Sequence, residues 1–213
     1  MSFVFIGHKT VVSPDFQEFV SEPKAPKNYK DLQKISDYIE EAKTEIRNTS
    51  SFKPFTSIVS EVSVRVEDKE GKVTSLNTYK GVAGFPSFIK NMDDTIGANK
   101  AEAFTFQAHT FMRIISMQAI RSGLKSTTIP MWLTNCNNFR DLITDLPKIF
   151  LPSNEEVSRI GYTNMFKYFG LSLSASDMDD TTIQCEKLSN LYHLADRLGE
   201  CTPDNRSFTD TEL

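Results

Sequence analysis

Apolar and polar positions alternate along this chain in three distinct ways. Residues 1–28 hold apolar clusters at Phe3-Val4-Phe5-Ile6 and at Phe16, Phe19 and Val20, set among Pro14, Pro23 and Pro26. Proline removes a backbone donor and turns its predecessor toward extended geometry, so this stretch predicts an extended arm. So apolar an arm needs a surface, either its own core or a neighbouring subunit, and Phe3, Phe5, Phe16 and Phe19 are its candidate oligomer contacts. From 29 to 47 the period changes. Leu32, Ile35, Ile39, Ala42 and Ile46 recur at steps of three and four behind Asn28, which predicts a capped amphipathic helix. From Ile58 to Val66 the period becomes two, with Val62, Val64 and Val66 on one face and Glu61, Ser63, Arg65 and Glu67 on the other. Asp68-Lys69-Glu70-Gly71 is a turn and Val73–Tyr79 a returning strand, so a hairpin spans about 58–79.

Beyond Phe85 the pattern predicts helices. A short one covers 86–92, and the strongest runs from 101 to 124, with Phe104, Ala108, Phe111, Met112, Ile115 and Ala119 on one face and Gly123 at its end. Asn138 predicts a helix to Leu146, and the capping box Ser153-Asn154-Glu155-Glu156 opens another. Asp177, Asp179 and Asp180 suit the start of a last helix closed by Gly199. The expected fold is mainly α: an extended arm (1–28), a single helical core domain with one β-hairpin (29–199), and a loose acidic tail (200–213).

Composition narrows the functional classes. With 39% hydrophobic and 24% charged residues, the 213-residue chain can bury a core. Its net charge of −4 excludes a broadly basic, histone-like surface. The charge is uneven, however: residues 100–148 carry a net +3 and residues 174–213 a net −6. The opening residues lack the pattern of a secretory signal, no window is apolar enough for a membrane span, and Cys136, Cys185 and Cys201 are odd in number and widely spaced. A cytoplasmic protein with free thiols is expected, in a host cell or virion if viral.

No phosphate loop, dinucleotide fingerprint, nucleophile elbow or metal-ligand spacing is present, so no enzyme, cofactor or metal is expected. Asp177, Asp179 and Asp180 lack the glycine and closing glutamate of a calcium loop. The positive middle carries Arg113, Arg121, Lys125 and Arg140, the candidate RNA-binding residues. Arginine's planar fork fits phosphate or carboxylate, so Arg113 suits either a phosphate groove or an internal pair with Glu102, Asp141 or Asp145. Trp132, Phe139 and Tyr168 could stack on bases. The terminal Thr211-Glu212-Leu213 has the form that PDZ domains accept, but three residues carry little information and an ordinary polar tail is the expected reading.

The order of arm, helix, hairpin, central helix opening at Phe104-Thr105-Phe106-Gln107, and further helices resembles the coat proteins of flexuous filamentous plant viruses. Gln107 stands where that family has a basic residue, and Met165-Phe166-Lys167-Tyr168-Phe169 is a loose counterpart of its later aromatic segment. The resemblance implies a helical core, single-stranded RNA in an internal groove, and arms that link subunits. The function expected is a non-enzymatic viral structural protein that self-assembles and coats RNA. The alternative is a cytosolic regulatory or accessory protein that acts by protein–protein interaction without RNA.

Overall fold

The computed structural model describes residues 2–15, 20–50, 53–97, 101–124, 130–134, 139–142 and 161–197. The Phe3–Val12 stretch is a strand, β1, and it is central. The others follow as β2 (Ser57–Glu67), β3 (Val73–Lys80), β4 (Glu102–Thr105) and β5 (Phe139–Arg140), in the order β3-β2-β1-β4-β5. β1 is antiparallel to β2 and parallel to β4; β2 and β3 form an antiparallel hairpin; β4 and β5 are parallel. The helices are α1 (Leu32–Ser50), α2 (Gly81–Met92, continued by a π turn, Asp93–Gly97), α3 (Ala108–Arg121), α4 (Met131–Thr134), α5 (Tyr162–Tyr168), α6 (Ala175–Met178) and α7 (Thr181–Arg197).

This overturns the expected fold class. The molecule is a five-stranded mixed sheet with helices on both faces, not a helical core with one hairpin. Two misread segments explain the difference. Phe3-Val4-Phe5-Ile6 is apolar without alternation because both faces of β1 are buried, as in parallel sheets. Val4 and Ile6 join one core with α2, α3 and α4, while Phe5 joins a second with α5 and α7. For Phe3–Val12, then, the surface is the chain's own core. The predicted helix from 101 to 124 is in fact a strand and a helix. Ala103 faces the first core and Phe104 and Phe106 the second, which is a period of two. Gln107 then turns the chain at φ 50° before α3 begins. The helix predicted from Asn138 gives way at its start to the strand β5, and the later part of the helix predicted after 153 is α5. Residues 143–160, with Asp145 and the capping box at 153–156, lie outside the described residues, as do Lys125, Cys136, Cys201, Phe16, Phe19 and the tail with Thr211-Glu212-Leu213.

α7 locks the sheet through polar contacts. Four helical residues rise about 6 Å and two strand residues about 6.6 Å, so a helix row at steps of four can follow one face of a strand. Thr181, Cys185, Ser189 and His193 form such a row over Glu61, Ser63, Arg65 and Glu67 of β2. Thr181 donates to Glu61 Oε1 at 2.8 Å and meets Ser63 Oγ at 2.7 Å. The Cys185 thiol donates to the Ser63 carbonyl at 3.3 Å, and burial pushes it up to about 12. Ser189 and His193 reach Glu67 at 2.7 and 2.6 Å, and Arg65 Nε adds a third contact at 2.5 Å. Glu67 is 0% exposed. Burial alone would raise its carboxyl, but the hydrogen bonds from His193, Ser189 and Arg65 outweigh it and hold the group below the usual range.

β1 meets α7 even more closely. A Cβ on Gly7 would lie 1.9 Å from the Thr181 carbonyl oxygen, and Gln184 brackets the next residue, accepting from His8 N–H at 2.9 Å and donating to its carbonyl at 3.1 Å. On the other face, Gln118 of α3 accepts from Val59 N–H at 2.8 Å beside the bulge in the β1–β2 ladder. α1 is mostly exposed, with Leu32 82% accessible; Asp31 accepts from Gln33 N–H at its start, the capping place expected of Asn28. No helix among the described residues is long and apolar enough to cross a membrane.

Two outcomes follow for stability. Gly7→Ala forces backbone on backbone and is expected to cost on the order of 3 kcal/mol in urea unfolding. Because the Glu67 carboxyl is depressed in the folded state, its contribution is present above the unfolded glutamate range and is lost as pH falls through the folded value. The urea midpoint of the wild type should therefore drop between neutral pH and pH about 3, and Glu67→Gln should flatten that drop while lowering the neutral midpoint.

Candidate nucleic-acid interface

Helix α3 buries Ala108, Phe111, Met112, Ile114, Ile115, Gln118 and Ala119 and turns its opposite side outward. Along that outer surface His109, Arg113, Met117 and Arg121 succeed one another at steps of four, about 6 Å apart. His109, Arg113 and Arg121 are exposed. Arg113 makes no hydrogen bond or ion pair among the described residues. Its apolar sequence neighbours Phe106 and Ile114 lie inward while its own position on the helix faces water.

The start of α3 is fixed from a distance. Tyr162 accepts a hydrogen bond from the Gln107 N–H at 2.5 Å and donates to Asp141 Oδ2 at 3.0 Å. Burial and the neighbouring Asp141 carboxylate push the Tyr162 phenol far above its ordinary value, so it remains a donor. Gln107 holds a left-handed backbone that a non-glycine residue adopts at some cost, and the Tyr162 contact helps to keep it there.

The end of α3 positions a loop. Arg121 donates from its guanidinium to the Phe55 carbonyl. The same loop is tied by Thr56 Oγ1 to the Ser50 carbonyl at 2.8 Å, by Ser13 N–H to the Thr56 carbonyl at 2.7 Å, and by Ser57 Oγ to the Lys53 carbonyl. These bonds present the Phe55 ring to solvent, 59% exposed, which is unusual for so large an apolar group on so constrained a turn. Between the loop and the helix lies an open cleft of about 450 Å³ lined by Pro54, Phe55, His109, Met112, Arg113, Ser116, Met117 and Leu133. Met112 and Leu133 are buried, and no carboxylate lines the cleft among the described residues.

Of the four predicted RNA-binding residues, the structure places Arg113 and Arg121 on one ridge. Arg121 acts there through the Phe55 backbone. Arg140 is elsewhere, on β5, where it pairs with Glu102 at 3.5 Å and sits 5.9 Å over the Phe104 ring. The internal pair considered for Arg113 thus forms at Arg140 instead. Of the suggested stacking residues, Trp132 and Phe139 are buried against each other and Tyr168 is 66% exposed. Phe5 is enclosed in the core and Phe3 packs on Tyr192 with ring centroids 4.8 Å apart. Phe55 was not singled out from the sequence. Its only signal is an aromatic residue behind Pro54, between a helix and a strand.

The histidines do not converge. His8 lies on Phe111 at 4.4 Å and shares a hydrogen bond with Thr105 Oγ1 at 3.2 Å; burial lowers it to about 4, so it is neutral near pH 7. Asp180 caps α7, accepting from Thr182 and Ile183 N–H groups, and Asp177 with Ser174 forms the capping box of α6. Among the described residues, no three of His, Cys, Asp and Glu stand where they could share a metal ion.

No protein-family model matches the chain, and no curated protein matches it. Among solved structures it is similar to the zinc-bound form of the E. coli ExoI–ssDNA complex, with a TM-score of 0.51 at 8% identity. The match covers 92% of this chain and 40% of that one, so the chain spans well under half the length of its structural neighbour. At this identity the likeness concerns the fold, and it agrees with the mixed α/β sheet described above. Tyr162→Phe should remove the hydroxyl bridge between Gln107 and Asp141 and cost about 1–2 kcal/mol in denaturant unfolding, with the α3 amides exchanging faster, first in its N-terminal turn.

Proposed function

We propose that this chain is a single-strand nucleic-acid-binding protein that holds its ligand along α3 and does not cut it. The observation that carries the reading is the pairing of a rigidly presented aromatic ring, Phe55, with the Arg113 guanidinium across a cleft that no carboxylate lines among the described residues. Proteins that hold single strands without sequence preference combine these two elements, a stacking platform and a cationic track. Bases stack on exposed rings because every base has a π face, and arginine contacts backbone phosphate bidentately. His109 and Arg113 would meet phosphates, Phe55 would stack on a base, and the apolar floor of Met112 and Leu133 would take the ring edge. Arg121 is a positioning residue, since it fixes the Phe55 turn. The likeness in fold to a protein crystallised with single-stranded DNA supports the polymer class.

The test is fluorescence anisotropy with labelled single-stranded RNA and DNA oligonucleotides across a salt series, with gel analysis of the strand after incubation with divalent metal. Binding should weaken steeply with salt, and the strand should stay intact. Arg113→Ala is expected to weaken binding about tenfold and to reduce the salt slope by about 0.7. Phe55→Ala should cost about 1–3 kcal/mol of affinity with the salt slope unchanged. Binding that ignores both substitutions places the ligand elsewhere, and cleavage of the strand makes the protein an enzyme.

A further inference from the structure

Ser116 carries the one side-chain hydroxyl among the described residues that line the cleft beside α3. It is half-buried, one helical turn beyond Met112 and within reach of α4. Its Oγ donates to the Met112 carbonyl at 2.7 Å and lies 3.4 Å from the Leu133 carbonyl. A serine hydroxyl has one proton and two lone pairs. Here two carbonyl oxygens compete for that proton, so it is kept inside the protein, and what the hydroxyl has left to offer is acceptor only. The Leu133 carbonyl beside it is an acceptor too. Turning the O–H into the cleft would give up the Met112 bond.

The polar chemistry of the cleft is thereby sorted by depth. Arg113, which can only donate, is exposed at the rim. Ser116 is deeper, between the buried Met112 and Leu133. A phosphate suits the rim and not the floor, because its oxygens only accept. A group that reaches the floor must bring an N–H or O–H, since otherwise two acceptors face each other with no proton between them.

We propose that Ser116 gives the cleft a preference for bases with an exocyclic amine, cytosine and adenine, over bases with a carbonyl at the same ring position, uracil, thymine and guanine. The preference rests on the reading of the cleft as a single-strand site, with a base stacked on Phe55 and its edge on the floor. There the amine of cytosine or adenine donates to Ser116 Oγ, whereas the carbonyl of uracil or guanine turns a lone pair toward it. Ser116 is thus a specificity-determining residue, and Arg113 holds the backbone whatever the base. One hydrogen bond at one base is a modest term, so the discrimination should be about fivefold.

The experiment is fluorescence anisotropy at fixed salt with short single-stranded homopolymers that differ at that one ring position. Oligo(dC) is compared with oligo(dU), which exchanges the amine for a carbonyl. Oligo(dA) is compared with oligo(2′-deoxynebularine), the same purine with hydrogen in place of the amine. Each amine-bearing strand should bind about fivefold tighter than its counterpart. Ser116→Ala should bring the two members of each pair level. Ser116→Thr, which keeps a hydroxyl able to donate to Met112, should retain the difference. Loosening of α4 would weaken both strands of a pair alike, so their ratio reads the hydroxyl's chemistry and not its structural role. Equal affinity within both pairs, tighter binding of the carbonyl-bearing strand, or a Ser116→Ala protein that keeps the full difference would overturn the preference and leave the single-strand reading standing. Failure of every strand to bind, even at low salt, would overturn both.

Discussion

The contact between α7 and the sheet organises this molecule, and it depends on two lengths that nearly match. A helix advances by four residues about as far as a strand does by two, which lets Thr181, Cys185, Ser189 and His193 meet Ser63 and Glu67 of β2 in sequence. A fully buried carboxylate is costly unless every acceptor site is filled, and Glu67 is supplied by three side chains from two elements. The same helix lies so close to β1 that position 7 admits only a hydrogen. Polar register and steric approach together fix α7 in one place along the sheet.

With α7 fixed on one face, β1 becomes a strand between two cores. Phe5 and Phe104 stack on the α7 side with centroids 5.5 Å apart, while Val4, Ile6 and Ala103 meet α2 and α3 on the other. α3 spends its apolar side on the core shared with Val4 and Ile6 and so presents its outer row to water. The cationic ridge and the Phe55 turn are thus products of the sheet's layering. The hairpin strand β3 lies at the end of the sheet, where Tyr79 still packs on Phe88 of α2 while most of its other side chains are exposed.

The candidate site was only partly legible. Arg113 and Arg121 stand out as charges in an apolar helix, and their spacing of eight residues already puts both near one side. Their partners were not legible. Phe55 joins them only because Arg121 captures its carbonyl across 66 positions of sequence. Arg140 reads like the other two by type, yet a parallel strand carries it to Glu102 and over Phe104. Periodicity cannot separate such cases, since it reports a residue's face on its own element and not what that element lies against.

Local physics settled the elements whose period is their own. The hairpin alternates because one face of β2 is packed by valines, the turn at Asp68–Gly71 needs glycine at φ 79°, and α1 and α7 carry helical stripes. Tertiary structure decided β1 and β4. Strands buried on both faces lose the alternation that marks a strand, and their pairing is parallel, between segments about a hundred residues apart. A run such as Glu102–Thr105 has helix, strand or core readings of comparable merit until β1 lies beside it. The free energy that chooses among them comes from hydrogen bonds and burial that exist only once the sheet has formed.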